Sequence, residues 1–217
     1  MALPSSNDKL IALFVKAPVL GRVKTRLAND IGKQAACELY CQLVSHAINN
    51  ALACDIPLVI CHDGSREDMP ESWRLSAAYC LAQQGADLGE RMVAAFSKLF
   101  TDGASQVILI GSDIPGLDTN YLQSAFQLLA GYDVVVGPAL DGGYSLIGFH
   151  QQSFNPGLFK QIPWSTDQVL QLTLSAAERT GLSVGLLPTL RDIDTREDLL
   201  ALEQEYGEAK PWKGSQE

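Results

Sequence analysis

The chain contains 217 residues, of which 47% are hydrophobic, and carries a formal net charge of −9 at pH 7. This length and apolar content are typical of one medium-sized domain with a sizeable core, so we expect a single domain over residues 1–217 with a frayed tail at 208–217. The acidic charge argues against general binding to nucleic acid or anionic membranes, which requires broad basic surfaces. No apolar run approaches the length of a membrane span and the first residues lack a signal-peptide pattern, so we expect a cytoplasmic protein.

The cysteines and histidines give little support for a zinc site. The five cysteines are an odd number without a Cys-x-x-Cys pair, and the three histidines are scattered along the chain. Cys37 and Cys41 lie four residues apart on a predicted helix, but two thiols without a nearby histidine pair are a weak basis for a soft-metal site. We therefore expect reduced cysteines, and we expect any bound metal to be a hard cation with oxygen ligands.

Apolar periodicity predicts alternating strands and helices along the chain. The predicted strands span 10–15, 57–61, 78–82, 107–110, 133–137, 144–149 and 183–187. The predicted helices span about 32–53, 87–100, 119–129, 166–179 and 196–206. This β-α alternation predicts an α/β protein, a three-layer α/β/α sandwich with a mainly parallel central sheet.

A carboxylate follows the most apolar of these strands. The strand at 107–110 ends at Gly111 and Ser112, and Asp113 comes next, two residues before Pro115. In open α/β sheets, ligands bind outside the carboxyl ends of the strands, so Asp113 is a candidate site residue. The alternative is that Asp113 only accepts hydrogen bonds from loop amides, and this segment alone does not decide between the two.

The loop after the first strand is basic, with no acidic residue from Lys9 to Asn29. Its position between a strand and a helix is where α/β proteins receive phosphates, because cations and backbone amides can both reach the ligand there. The loop matches neither the dinucleotide fingerprint nor the P-loop pattern, and a solvated loop is the alternative. The candidate phosphate-binding residues are Lys16, Gly21, Arg22, Lys24 and Arg26.

Two other segments combine acidic residues with glycine. Asp87 precedes a predicted helix with Glu90 at capping-box spacing, so it is either a helix cap or a ligand contact. The sequence Asp-Gly-Gly-Tyr at 141–144 offers amides, a carboxylate and an aromatic face to a hydroxylated or phosphorylated acceptor. Because Asp-Gly is a favoured turn pair, a plain hairpin turn is the alternative.

A pair of carboxylates lies near the last predicted helix. Asp192 and Asp194 are two residues apart, and in an extended segment they would project to the same side. Thr195 and Asp198 are predicted to be the N-cap and third residue of the helix, which leaves Asp192 or Asp194 available to a metal. Asp113 with one of this pair, completed by phosphate oxygens and water, would suit a magnesium ion.

Six motifs together resemble the glycosyltransferase-A superfamily. Within it the chain is most similar to a family of nucleotide-diphospho-sugar transferases described as arsenosugar-biosynthesis glycosyltransferase-like. The motifs lie in order at 16–27, 87–92, 111–115, 137–144, 163–166 and 192–195. Two departures are a leucine at position 20, where the family usually has proline, and the lack of an Asp-x-Asp motif at 111–113.

The resemblance implies a Rossmann-like glycosyltransferase-A fold and assigns roles to residues. Mg²⁺ or Mn²⁺ would be held by Asp113 with Asp192 or Asp194, and the catalytic residues would be Asp113 and Asp141. The nucleotide-binding residues would be Lys16, Gly21, Arg22, Lys24, Arg26, Gln84, Asp87, Arg91 and Ser112. The acceptor-binding residues would be Asp141, Gly142, Gly143, Tyr144 and Trp164.

The resemblance covers two chemistries. The family itself favours glycosyl transfer from a nucleotide sugar to a hydroxylated small molecule. The motifs around Lys24 and Asp192 also resemble phospholactate and molybdenum-cofactor guanylyltransferases, which join a nucleoside triphosphate to a phosphorylated acceptor and release pyrophosphate. Because no Lys or Arg occurs between Gly131 and Lys160, we expect a neutral acceptor, which favours glycosyl transfer. A nucleotide-binding module without turnover remains a further alternative, and the sequence does not predict the oligomeric state.

Overall fold

A computed structural model of the protein describes residues 9–207. A seven-stranded sheet forms its centre, with the strand order β3-β2-β1-β4-β6-β5-β7. Among the described strands, β6 runs against both of its neighbours, and the other pairings are parallel. The strands are β1 (Lys9–Lys16), β2 (Leu58–Asp63), β3 (Tyr79–Ala82), β4 (Gln106–Ile110), β5 (Val134–Pro138), β6 (Tyr144–His150) and β7 (Val184–Leu186).

Seven α-helices surround this sheet in the described part of the chain. The helices are α1 (Thr25–Ile31), α2 (Lys33–Leu52), α3 (Glu71–Ser76), α4 (Leu88–Thr101), α5 (Thr119–Leu129), α6 (Val169–Arg179) and α7 (Arg196–Tyr206). Between residues 9 and 207, no helix is both long enough and apolar enough to cross a membrane.

Alternate residues of the central strands supply two separate cores, which makes the fold a three-layer sandwich. In β1, Ile11 and Leu13 face the core that contains α2, α3 and α5. Leu10 and Ala12 face the opposite core, which contains α4 and α6. Burial on both faces explains why these strands read as nearly continuous apolar runs. The expected α/β/α sandwich with a mainly parallel sheet is confirmed.

A third, smaller core ties the amino-terminal and carboxy-terminal segments together. It contains Leu27 of α1, Leu43 of α2, Leu202 of α7 and, in the segment before α7, Ile193. This packing brings the basic loop after β1 beside the 192–194 segment, although the two are far apart in sequence. The third core therefore determines which charged residues meet at the site.

The structure differs from the sequence expectations in its short helices and loops. Helices α1 and α3 were not predicted, and α6 begins at Val169 rather than near residue 166. The helix α1 has only seven residues and no side-chain cap, so it carries little local signal. The hairpin-turn alternative for Asp141 is confirmed, because the residue lies in the turn between β5 and β6, and its acceptor-binding role stays a prediction. The predicted tail at 208–217 lies outside the described residues.

Candidate active site

Two pockets meet at the carboxyl ends of β1, β4 and β5, and they share Leu88, Gly111 and Asp113. The first, which we call the cationic pocket, has a volume of about 360 Å³ and lies under the basic loop. The second, the acidic pocket, has a volume of about 210 Å³ and lies under the β5–β6 hairpin. Asp113 is therefore placed at the junction of two chemically different cavities.

Four positively charged side chains line the cationic pocket: Lys16, Arg22, Lys24 and Arg91. The loop that carries the first three turns sharply at Gly21, which has a φ of 76°, and the turn closes with a 2.9 Å hydrogen bond from the Arg22 amide to the Val19 carbonyl. Glycine adopts this left-handed backbone without steric cost. The turn thus brings Arg22 back over the end of β1.

The floor of the cationic pocket is held by Tyr40 and Gln83. The Tyr40 hydroxyl accepts a hydrogen bond from the Lys16 amide at 2.8 Å and donates one to the Lys16 carbonyl at 3.1 Å. Burial raises the pKa of Tyr40 to about 12, against the opposing effect of hydrogen bonds from Ser112 and the Lys16 backbone. The Gln83 side chain donates to the carbonyls of Cys61 and Val15 at 2.9 and 3.3 Å. These contacts fix the ends of β1 and β2 relative to each other.

Lys24 does not point freely into the cationic pocket. Its Nζ donates to Asp113 Oδ2 at 2.7 Å and lies 3.8 Å from Asp194 Oδ1. The Lys24 side chain is only 5% exposed, whereas those of Asp113 and Asp194 are 35% and 38% exposed. The sequence assigned Lys24 to phosphate and both aspartates to metal, and in the structure the three side chains form one ion-pair cluster.

The segment 192–194 is held against the end of β4. The Ile193 amide donates to the Asp113 carbonyl at 3.0 Å, and the Ile193 side chain is fully buried in the third core. Asp192 and Asp194, which flank Ile193, both line pockets. They nevertheless reach different cavities, since Asp192 lines the acidic pocket and Asp194 lines the cationic pocket. Thr195 and Asp198 form the predicted capping box of α7.

The acidic pocket depends on a close contact between the β5–β6 hairpin and the start of α6. Gly142 has a φ of 86°, and a Cβ at this position would lie 2.6 Å from Asp167 Cα. The Leu170 amide donates a 2.9 Å hydrogen bond to the Gly142 carbonyl, which links α6 to the hairpin. Asp141 Oδ1 accepts the Gly143 amide at 2.9 Å, so its exposed carboxylate is held at the rim of the pocket.

Two aromatic rings form a wall of the acidic pocket. Tyr144 and Trp164 contact each other edge to face, with ring centroids 6.4 Å apart and an angle of 88° between the ring planes. Trp164 lies against the first turn of α4 at Gly89, where an added Cβ would come within 2.7 Å of its ring. The missing side chain at Gly89 therefore allows the indole to approach α4 this closely.

Three carboxylates surround the acidic pocket, and among the described residues no Lys or Arg lines it. Burial and, to a lesser extent, the nearby charges of Asp113 and Asp141 together raise the pKa of Asp192 to about 6, while Lys24 partly offsets the effect. The repulsive contribution of Asp113 and Asp141 to this shift indicates that negative charge on this side of Asp113 is not fully compensated. A group that enters the acidic pocket must tolerate that charge.

The carboxylates suit a hard divalent cation in their chemistry, because Mg²⁺ and Mn²⁺ prefer oxygen ligands. Their arrangement differs from a preformed metal site. In residues 9–207, no group of three or more His, Cys, Asp or Glu side chains lies close enough to hold a metal. Two of the three predicted ligands, Asp113 and Asp194, contact Lys24.

Most of the predicted site residues lie at these two pockets. The cationic pocket includes the predicted residues Lys16, Arg22, Lys24, Arg91, Ser112, Asp113 and Asp194. The acidic pocket includes Asp113, Asp141, Gly143, Tyr144, Trp164 and Asp192. The roles assigned to these residues stay predictions.

Five predicted residues lie outside the lining of both pockets. Gly21 shapes the loop turn, and Gly142 packs against α6. Asp87 caps α4 by accepting the Glu90 amide at 2.8 Å, the alternative that the sequence left open. Arg26 is 71% exposed and donates to Asp194 Oδ2 at 2.9 Å from outside the pocket. Gln84 is exposed.

Sequence reasoning missed several lining residues, of which Gln83 and Tyr40 are the most informative. Gln83 precedes the predicted Gln84, and nothing in the local pattern distinguishes the inward glutamine from its neighbour. Tyr40 lies within the helix predicted at 32–53 and was not singled out, since its hydroxyl partner is separated from it by 24 residues. Leu88, Ser145 and Thr166 also line the pockets and had not been singled out.

Solved structures with the same fold include enzymes of both expected chemistries. At 15% identity, the inositol-1-phosphate CTP transferase from T. maritima aligns over 98% of this chain and 99% of its own, with a TM-score of 0.58. At 12% identity, glucosyl-3-phosphoglycerate synthase from Mycobacterium tuberculosis, solved with Mn²⁺, UDP and glucosyl-3-phosphoglycerate, aligns over 91% of this chain and 76% of its own, with a TM-score of 0.54. At these identities the likeness shows the fold alone.

A more similar structure comes from Desulfovibrio desulfuricans G20 and is named as a candidate nucleotide-diphospho-sugar transferase. It is 38% identical, covers 96% of this chain and 92% of its own, and has a TM-score of 0.89. A search of curated protein sequences finds no match. A family model described as "Uncharacterized protein conserved in bacteria (DUF2064)" matches residues 47–166. The expected resemblance is confirmed: the chain belongs to the DUF2064 family and is similar in fold to a candidate nucleotide-diphospho-sugar transferase.

Proposed function

We propose that this protein is a glycosyltransferase that transfers a sugar from a nucleotide sugar to a neutral, hydroxylated small molecule. The observation that carries the proposal is the pair of oppositely charged pockets that meet at Asp113. One pocket suits a diphosphate and the other suits hydroxyl groups, so the bond between phosphate and sugar would lie at their junction. The 38% identical relative is a candidate nucleotide-diphospho-sugar transferase, which supports the same class.

The cationic pocket would hold the nucleotide diphosphate. Lys16 and Arg22 are exposed at its rim, and Arg91 is fixed there by a 3.0 Å ion pair with Asp63. Charge-assisted hydrogen bonds from such side chains are the strong contacts available to phosphate oxygens. The pocket faces the carboxyl end of β1, where α/β proteins receive phosphates.

The acidic pocket would hold the acceptor. Carboxylates accept hydrogen bonds from hydroxyl groups, and the faces of Tyr144 and Trp164 can pack against the apolar face of a sugar or polyol ring. A phosphorylated acceptor would instead meet Asp113, Asp141 and Asp192, and this repulsion would cost binding free energy. The charge of this pocket therefore favours a neutral acceptor over an anionic one.

In the proposed reaction, an acceptor hydroxyl oxygen bonds to the anomeric carbon while the bond from that carbon to the phosphate oxygen breaks. A nucleoside diphosphate leaves, and the hydroxyl proton passes to a carboxylate of the acidic pocket, with Asp141 exposed at its rim for this role. Mg²⁺ or Mn²⁺, when bound, would neutralise the charge that develops on the leaving diphosphate. Asp113 with Asp192 or Asp194 would hold it.

A second candidate is nucleotidyl transfer, in which a phosphorylated acceptor attacks a nucleoside triphosphate and pyrophosphate leaves. The cationic pocket is equally suited to a triphosphate, and two structures with the same fold are a synthetase solved with CTP and a CTP transferase. The phosphorylated acceptor would need a cation near the junction, and Lys24 is the described residue that could supply it. Nucleotidyl transfer would therefore require the Lys24 ammonium to move from Asp113 to the phosphate of the acceptor.

The two candidates release different products. Incubation with nucleotide sugars and Mg²⁺ or Mn²⁺ should release nucleoside diphosphate by slow hydrolysis even without an acceptor. The Asp113→Asn variant should lose this release, while Asp30→Asn, an exposed carboxylate on α1, should retain it. Pyrophosphate release from a triphosphate and a sugar phosphate, with no turnover of any nucleotide sugar, would establish nucleotidyl transfer instead.

A matched pair of arginines tests the phosphate role of the cationic pocket. Arg22 lines the pocket, whereas Arg26 lies outside it in the first turn of α1. Loss of a charge-assisted hydrogen bond costs about 1.5–3 kcal/mol, so Arg22→Ala should weaken nucleotide-sugar binding by about tenfold or more and Arg26→Ala by much less. Binding of the bare nucleoside should be unchanged in both. Equal losses for nucleoside and nucleotide sugar, measured by calorimetry, would refute the phosphate role.

A further inference from the structure

The position of Lys24 is the feature of the site that the proposed function leaves unexplained. Its ammonium lies between two carboxylates, 2.7 Å from Asp113 Oδ2 and 3.8 Å from Asp194 Oδ1. At 5% exposure it is almost fully enclosed, although lysine side chains on protein surfaces usually keep the charged end in water. Enclosure of a charge is tolerated when it is paired, and Lys24 is paired twice.

The backbone at Lys24 is also unusual. The residue has φ and ψ of 47°, a left-handed conformation, at the position that precedes α1. Residues other than glycine adopt this region at a steric cost, and they persist in it where the surrounding structure demands it. Two features hold Lys24 in this conformation. Helix α1, which follows it, packs on α7 through the third core, and the Lys24 side chain forms an ion pair with Asp113. The fold holds Lys24 in place by two independent constraints.

The two carboxylates that Lys24 contacts are among the predicted metal ligands. Asp194 has a further cation on its second oxygen, since Arg26 donates to Oδ2 at 2.9 Å. Both carboxylates are therefore already neutralised by the basic loop. A divalent cation that approached them alone would meet the ammonium of Lys24 and would have to compete for the same oxygens.

Phosphate changes this balance, because it offers the ammonium another anion within the same pocket. Lys24 lines the cationic pocket beside Lys16 and Arg22, so a diphosphate in that pocket comes within reach of a side chain that bends at its flexible methylene stem. Transfer of the ammonium from Asp113 to phosphate would free carboxylate oxygens while bringing phosphate oxygens near. A metal ion with oxygen ligands could then bind to both.

We propose that Lys24 is the internal counter-cation of Asp113 and Asp194, and that it excludes a divalent metal from these carboxylates until nucleotide phosphates draw its ammonium away. Metal binding then follows nucleotide binding. This inference rests on the proposed function for the nucleotide step, but the exclusion of metal from the nucleotide-free protein stands on the ion-pair geometry alone.

The test measures binding of Mn²⁺ alone to the full chain, by electron paramagnetic resonance of free Mn²⁺, without nucleotide. The wild type should bind Mn²⁺ only weakly, with a dissociation constant of about 1 mM or more, as expected when ligands are already paired. Lys24→Met, which keeps the length of the stem and removes the charge, should bind Mn²⁺ at least about tenfold more tightly. Lys98→Met, which removes a lysine of α4 that pairs with Asp102 and contacts neither carboxylate, should behave as the wild type.

A second variant guards against misfolding of the first. Lys24→Gly removes the whole side chain and adopts the left-handed backbone without steric cost, so it should show the same tighter binding. Micromolar binding of Mn²⁺ by the wild type would overturn the proposal without any variant. Equal dissociation constants for the wild type and both Lys24 variants would also overturn it. Because no nucleotide is present, these outcomes are independent of whether nucleotide sugars prove to be substrates.

Discussion

Replacement of Asp192 by asparagine should make the folded protein more stable at pH 8. Burial and the charges of Asp113 and Asp141 raise the pKa of Asp192 from 3.8 to about 6. The folded state therefore holds the Asp192 proton more tightly than the unfolded state, so ionisation destabilises it progressively between pH 3.8 and about 6, and in full above that range. Asparagine keeps the shape of the side chain without that charge.

The size of the effect follows from the same shift. A pKa difference between 3.8 and about 6 corresponds to about 3 kcal/mol. Asp192 is partly exposed, so solvent screening reduces this, and we expect Asp192→Asn to raise the free energy of unfolding by about 2 kcal/mol at pH 8. For a chain of this length, that gain corresponds to a rise in melting temperature of about 4–8 °C.

The pH dependence distinguishes this explanation from a general effect of lower negative charge. The gain should fall below about 1 kcal/mol at pH 4, since the folded Asp192 is then protonated in the wild type. Urea denaturation at pH 4 and pH 8 measures the gain in unfolding free energy. As a control, Asp30→Asn, at an exposed position on α1, should change the free energy of unfolding by less than about 0.5 kcal/mol. An equal gain at pH 4 and pH 8, or none at pH 8, would refute the reasoning.

Two further substitutions test how the pockets are built. Gly142→Ala should lower the free energy of unfolding by about 2–4 kcal/mol, because the added methyl group strains the backbone and overlaps Asp167. Gly181 is the control: it also has a positive φ, but nothing lies within 4 Å of an added Cβ, so Gly181→Ala should lower the free energy of unfolding by only about 1 kcal/mol. Urea denaturation measures both values. Equal losses would argue against a close hairpin contact. Tyr40→Phe should lower stability by about 1–2 kcal/mol, since both backbone groups of Lys16 lose their hydrogen-bond partner. A neutral result would show that solvent replaces the hydroxyl.

The strands and long helices could be predicted because their signals are local. The alternation in β1, with Ile11 and Leu13 facing one core and Leu10 and Ala12 the other, reflects burial on both faces and is visible as an apolar run. The cap of α4 at Asp87 and the capping box of α7 are likewise encoded within a few residues. The helices α1 and α3 escaped prediction because packing against other elements, rather than local propensity, stabilises such short segments.

The candidate site shows a different limit of sequence reasoning. The motifs located Lys24, Asp113 and Asp194, but they gave no sign that the lysine would bind the aspartates. Lys24 and Asp113 are 89 residues apart, and Arg26 and Asp194 are 168 residues apart. Such pairings depend on how α1 and the 192–194 segment pack in the third core. A charge pattern along the chain predicts which ligands a loop could bind. It does not predict which side chain elsewhere in the protein will form an ion pair with that loop.

By itself the sequence determined the α/β alternation, the basic loop after β1 and the carboxylates at the strand ends, because each follows from neighbouring residues. Only the tertiary structure decided that the charges separate into two pockets around Asp113. The reason is that the order of strands across the sheet, with β6 reversed between β4 and β5, brings the 141–144 hairpin beside the end of β4. The same arrangement sends Asp192 and Asp194, two residues apart, into different cavities. Such long-range packing has no counterpart in local sequence pattern.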